Sequence, residues 1–204
     1  MVVARKPERV AFGFSVHTGW AALTAMSGHP DSAVVVDRRR VEMIVGSDPG
    51  RPPYVYHAAR ELAPEAAEGF IRKFVEQSRG KARAALKVAV DGLRAREYEV
   101  VASGIVTGDR PVTASLDGIL KSHALVHAAE GEMYRAAIRA ASEALELAVV
   151  EVRAGELRAR ASKALGVSAA HLEARLAGIG RVAGSPWAKD QKDACLAALV
   201  ALLA

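Results

Sequence analysis

The order of apolar runs constrains this chain more than any other feature of its sequence. Arg9 to Val16 reads as a strand, with Val10, Phe12 and Phe14 alternating with Ala11, Gly13 and Ser15. His17-Thr18-Gly19 is a short turn, and the β-compatible run Trp20 to Met26 follows it, so the two runs form a hairpin. A second turn, Ser27-Gly28-His29-Pro30-Asp31, leads to a third strand from Ala33 to Met43, which carries the basic run Arg38-Arg39-Arg40. Three meandering strands therefore come first, and such strands pair antiparallel.

Beyond residue 43, the apolar runs are separated by helical stretches. Gly46 to Pro53 is a loop rich in Gly and Pro, leading through Tyr54-Val55-Tyr56 to a helical region from about Pro64 to Arg96, with Gly80 marking an expected break. Tyr98 to Val106 is strongly apolar and suits a central strand covered on both faces. Helix is expected from about Leu116 to Leu145, broken near Ser122, and then a short strand from Ala148 to Val152. Glu156 to Leu165 is helical and stops at Gly166; Ser168 caps a further helix through Leu176, and Gly178 to Gly184 is a loop. Ser185 and Pro186 fit the N-cap and first position of a final helix that runs to the end of the chain. Strands joined through helices pair parallel by right-handed crossover. The expected fold is one α/β domain over residues 1–204, with a mixed five-stranded sheet, three antiparallel meander strands first, and helices on both faces.

Composition narrows the class without naming an activity. The 204 residues carry 28 Lys and Arg against 23 Asp and Glu, a net charge of +5. That balance is compatible with a nucleic-acid partner but does not demand one, because the arginines are scattered along helices. Cys195 is the single cysteine, which excludes an internal disulfide and suits a reducing compartment. No run of ~18 apolar residues is present to span a membrane, and no apolar segment follows the basic start as in a signal peptide. The expected location is the cytoplasm.

Four groups of residues carry candidate chemistry. Asp190 and Asp193 are three apart and face one way on the last helix, where they can hold a cation or simply be solvated near a helix N-terminus. His123, His127 and Glu130 line one helix face, and two histidines four apart can ligate a transition metal; the alternative is hydrogen bonding within the fold. Gly131 beside Glu130 suggests close packing or a ligand near the helix. Ser15 and His17 share a strand face, which admits a nucleophile–base pair or a hydrogen-bonded turn. The loop Thr107-Gly108-Asp109 ends the central strand, where α/β sheets bind ligands, but no Walker or GxGxxG motif supports a nucleotide.

The element order and three local segments resemble the ribonuclease H-like superfamily, and within it the RuvC-type Holliday junction resolvases. "AFGFSVHTGWAAL" is similar to the family's strand-turn-strand opening. "SHALVHAAEGEMYRAAIRAASEALELAVVEV" is similar to its helix leading into the fifth strand, and "KDQKDACLAALVALL" to its final helix. The resemblance implies a nuclease site of carboxylates on the first strand, the fourth strand and the last helix, which hold two Mg²⁺ ions. Asp190 and Asp193 match the last-helix pair. The first-strand position falls at or near Ser15, and the fourth-strand position near Gly104 to Thr107, where no acid occurs before Asp109.

The resemblance also brings His17 towards the last helix. The expected site has Asp190 and Asp193 as ligands of Mg²⁺ or Mn²⁺, assisted by His17 and Glu130. The expected activity is nucleic-acid binding with a degenerate or altered metal-dependent nuclease site. The alternative is a non-enzymatic interaction protein on a retired nuclease scaffold, and a nucleotide-binding or phosphotransfer relative is a third reading. Dimerisation is common in the family, which makes a homodimer an arrangement to test.

Overall fold

A computed structural model describes residues 6–29, 32–44, 54–108 and 111–204. The strands are β1 (Glu8–His17), β2 (Trp20–Ser27), β3 (Val34–Glu42), β4 (Tyr98–Thr107) and β5 (Ala148–Arg153). The helices are α1 (Val55–Ala59), α2 (Pro64–Arg94), α3 (Leu116–Lys121), α4 (His123–Glu143), α5 (Leu157–Leu165), α6 (Ala169–Ala183) and α7 (Lys189–Leu202). The strands form one sheet in the order β3-β2-β1-β4-β5. β1 pairs antiparallel with β2, and β2 with β3, while β4 runs parallel to both β1 and β5. This is the mixed five-stranded sheet expected from the sequence.

The period-two alternation of β1 divides the molecule into layers. Val10, Phe12 and Phe14 point into a core shared with Leu86 and Leu93 of α2 and Met133, Tyr134 and Ile138 of α4. The opposite face of the sheet meets α7. There the contact is backbone on backbone, because Gly13 of β1 and Gly104 of β4 stand side by side in register. A Cβ at Gly13 would lie 1.8 Å from the Ala194 carbonyl oxygen, and one at Gly104 would lie 2.0 Å from that of Ala197. Neither position can carry a side chain while the helix stays where it is.

A helix that close to a sheet must be apolar nearly all round, and from Asp193 to Leu202 every residue of α7 is buried. Its far side is closed by Leu157 and Ala161 of α5 and by Leu172 and Leu176 of α6. Cys195 belongs to this layer, with Sγ 3.7 Å from Met26 Sδ, and burial pushes its thiol up to about 12.

The structure departs from the sequence reading at four helical boundaries. Gly80 does not break α2, which is continuous over 31 residues. The short helix α1 arises within the segment read only as a lead-in to α2. Gly178 and Gly180 lie inside α6 rather than in a loop, and the indole of Trp187 packs where a Cβ of Gly180 would sit, at 2.3 Å. Trp187 Nε1 also donates to the Leu176 carbonyl at 3.1 Å, so tertiary packing outweighs the low helix propensity of glycine. Finally, α7 starts at Lys189 rather than at Pro186. The Arg38 guanidinium donates to the carbonyls of Ala183, Gly184 and Pro186 at 2.7, 3.1 and 2.5 Å, which holds this connection outside the helix. The expected break at Ser122 is present: that residue ends α3 and caps α4.

Two outcomes follow from this packing. Gly104→Ala should cost about 3 kcal/mol in chemical denaturation, since backbone must shift to admit the methyl group. Gly69→Ala on α2, with open space around it, should instead gain about 0.5–1 kcal/mol; equal effects would mean α7 is not seated on the sheet. Cys195 should resist a disulfide-exchange reagent in the native protein and react fully in denaturant, and rapid labelling under native conditions would show that α7 opens.

Candidate functional site at the carboxyl end of β1

The hairpin between β1 and β2 positions the first half of the site. His17 and Trp20 are register partners around the two-residue loop Thr18-Gly19. Gly19 has φ 82°, a left-handed conformation that favours glycine in such turns. The His17 ring stacks on the Trp20 indole with centroids 4.4 Å apart, and the Arg40 guanidinium lies 3.7 Å from the same indole. Arg40 also pairs with Glu42.

The second half comes from the first turn of α7. Asp190 follows Lys189, the first residue of the helix, so its carboxylate sits at the positive end of the helix dipole. Its Oδ1 lies 2.8 Å from His17 Nε2 and accepts from Ser15 Oγ at 3.4 Å. The resemblance brings His17 towards the last helix, and the structure sets it against Asp190. Ser15 donates to Asp190 rather than to His17, so the nucleophile–base pairing is not formed.

Asp193 has different partners. It is 3% exposed, with Oδ2 2.5 Å from Lys189 Nζ and Oδ1 3.4 Å from an Arg158 guanidinium nitrogen. The Lys189 pairing is legible as an i, i+4 pattern, whereas Arg158 comes from α5 and only the tertiary fold reveals it.

Glu130 does not join this group. It lies on α4, in the layer on the other side of the sheet from α7. It is 2% exposed, and its Oε1 accepts from the backbone N–H groups of Tyr56 and His57 at 2.7 and 3.2 Å. Burial raises its pKa, against the lowering effect of those hydrogen bonds. Burial, followed by the charge of Glu130, also raises the pKa of Tyr56 and Tyr134. The neighbouring Gly131 gives room to the Arg135 side chain, whose guanidinium would lie 2.8 Å from a Cβ there. No local sequence pattern links His57 to α4.

At the end of β4, Gly104 is covered by α7, and the segment to Thr107 holds no acid. Asp109 lies outside the described residues. The Arg135 guanidinium approaches Gly108, at 3.6 Å from a Cβ placed there. A pair of Mg²⁺ ions requires several oxygen ligands with near-octahedral geometry. Here Ser15 stands at the first-strand position, and both oxygens of Asp193 are engaged by cations. The described residues therefore do not fit a two-metal carboxylate centre.

Among the described residues, no helix is long and apolar enough to cross a membrane. No protein-family profile matches the sequence. No curated protein matches it either. Solved structures do match in fold. The RuvC of Thermus thermophilus in complex with Holliday junction substrate superposes with a TM-score of 0.53 at 14% identity, covering 94% of this chain and 91% of that one. A second structure of Thermus thermophilus RuvC gives a TM-score of 0.50 at 14% identity, covering 94% and 92%.

The Asp193 contacts predict a stability effect. Asp193→Ala should lower unfolding stability by about 1–3 kcal/mol, because a buried carboxylate with two charge-assisted partners is removed. Urea denaturation measures it, and unchanged or increased stability would mean the carboxylate is strained rather than compensated. Sheet order, layering and superposition together show that this chain has the RuvC-type ribonuclease H-like fold.

Proposed function

We propose that this protein binds nucleic acid through the carboxyl end of β1 and the start of α7, on a RuvC-type scaffold whose nuclease centre is altered. One observation carries the reading. The last-helix carboxylates are compensated by the protein's own groups, Asp190 by His17 and Asp193 by Lys189 and Arg158. Around them stand aromatic rings with guanidinium partners: Trp20 with Arg40, and Trp187 with Arg38 at 5.9 Å. Cations attract the phosphate backbone, and the two half-buried indoles hold guanidinium groups at this end of the sheet. Asp190 and His17 are the groups best placed to contact a phosphodiester or a bound ion. A divalent ion at Asp190 would find a single carboxylate there, which favours weak Mg²⁺- or Mn²⁺-dependent cleavage or none.

The engagement of Asp193 by two cations also favours a second reading, a scaffold that has lost catalysis and acts by binding another protein. Titration of branched DNA, single-stranded DNA and an RNA–DNA hybrid, each with Mg²⁺ and with Mn²⁺, separates the two. Binding should weaken steeply with salt, and Arg40→Ala should reduce the slope of log affinity against log salt by about 1. Cleavage should be weak or absent with either ion. Failure to bind any of these substrates at low salt would overturn the nucleic-acid reading in favour of the second.

A further inference from the structure

We propose that His57, His123 and His127 form a binding site for a divalent transition metal of the zinc type, on the side of the sheet opposite α7. The three side chains come from two elements, α1 and α4, and their ligand nitrogens all lie within 4.8 Å of one another. This site is independent of the Asp190 region and does not rest on the nucleic-acid reading.

The geometry is that of converging ligands. His123 and His127 are one helical turn apart, with their Nε2 atoms separated by 3.1 Å. Two nitrogens bound to one tetrahedral zinc at the usual ~2.0–2.1 Å are separated by roughly 3.3 Å, so the pair already has nearly the spacing of a coordination edge. The His57 ring stands edge-on to both, with centroids 5.7 Å from His123 and 4.6 Å from His127. His123 and His127 are exposed, and His57 is half-buried. Three imidazoles form a borderline donor set that suits Zn²⁺, Co²⁺, Ni²⁺ or Cu²⁺ rather than Mg²⁺. With three protein ligands and an exposed position, the fourth site is open to water or an exogenous ligand.

A buried carboxylate supplies the support such a site needs. His57 Nδ1 lies 3.4 Å from Glu130 Oε1, whose other contacts are the backbone N–H groups at the start of α1. A histidine that donates Nδ1–H to a carboxylate keeps its Nε2 lone pair for the metal, the usual arrangement behind ligating imidazoles. Among the described residues, Glu130 Oε2 is fully buried with no hydrogen-bond partner, an uncompensated acceptor on the carboxylate that meets His57. The protein thus holds a desolvated carboxylate against His57. A positive ion bound to that imidazole would offset the cost of keeping it there.

The test is titration of chelator-treated full-length protein with Co²⁺ and with Zn²⁺. Visible d–d absorption reports on Co²⁺ coordination, and a competing chromophoric chelator gives the Zn²⁺ affinity. Saturable binding with nitrogen-ligand d–d bands is expected. His123→Ala and His127→Ala, both at exposed positions, should retain the native circular dichroism and weaken Zn²⁺ by at least 100-fold. Glu130→Gln should weaken it by about 10–100-fold while leaving the Co²⁺ band shape tetrahedral. Asp190→Ala should leave the affinity unchanged. Absence of saturable binding would overturn the proposal, and so would binding that survives His123→Ala with His127→Ala in one chain. In that case the 3.1 Å contact is a histidine–histidine hydrogen bond and nothing more.

Discussion

The contact between α7 and the sheet governs the rest of this structure. Gly13 and Gly104 sit side by side on β1 and β4, and their missing side chains let the carbonyls of Ala194 and Ala197 approach the strands directly. A helix seated at that distance has little rotational freedom, because a shift of a fraction of an ångström would collide backbone with backbone. The register of α7 is therefore fixed, and with it the direction in which Asp190 leaves the first turn. Its meeting with His17 and Ser15 is a consequence of two absent methyl groups in the middle of the sheet.

The start of α7 is fixed from outside as well. Arg38, on edge strand region β3, gathers three carbonyls of the segment that joins α6 to α7, and Trp187 in that segment packs against Gly180. These contacts delay the helix to Lys189 and place Asp190 near its positive end. The same basic run supplies Arg40 to the Trp20 indole, which also carries the His17 ring. One strand thus contributes both the clamp that sets the helix start and part of the surface that surrounds the carboxylates.

The two faces of the sheet have developed different chemistry. On the α7 side, acids are met by bases from the chain itself, so the electrostatic balance is closed locally. On the α4 side, Glu130 is desolvated with one oxygen unpartnered among the described residues, and His57, one of three converging histidines, stands against it. Sequence reading assigned Glu130 to the Asp190 centre, and the layering separates them. It grouped Glu130 with His123 and His127 on one helix face; in the structure the two histidines are exposed, Glu130 is buried, and His57 contacts all three. His57 carries no local signal, because its position depends on how α1 docks against α4, 66 residues from the nearer histidine in sequence.

The sequence by itself determined the order of the strands and of the longer helices, the antiparallel start and parallel continuation of the sheet, and the likeness to RuvC-type proteins. Apolar periodicity and turn residues act over a few positions, and so they can be read from the chain alone. Tertiary structure decided where α6 ends and α7 begins, which cations face Asp193, and which imidazole joins His123 and His127. Each of these depends on side chains from distant elements meeting at hydrogen-bond distance, and no local pattern encodes such meetings. The aspartates of the last helix were visible as a pair; packing then gave them separate partners, with Asp190 held by the end of β1 and Asp193 by Lys189 and Arg158.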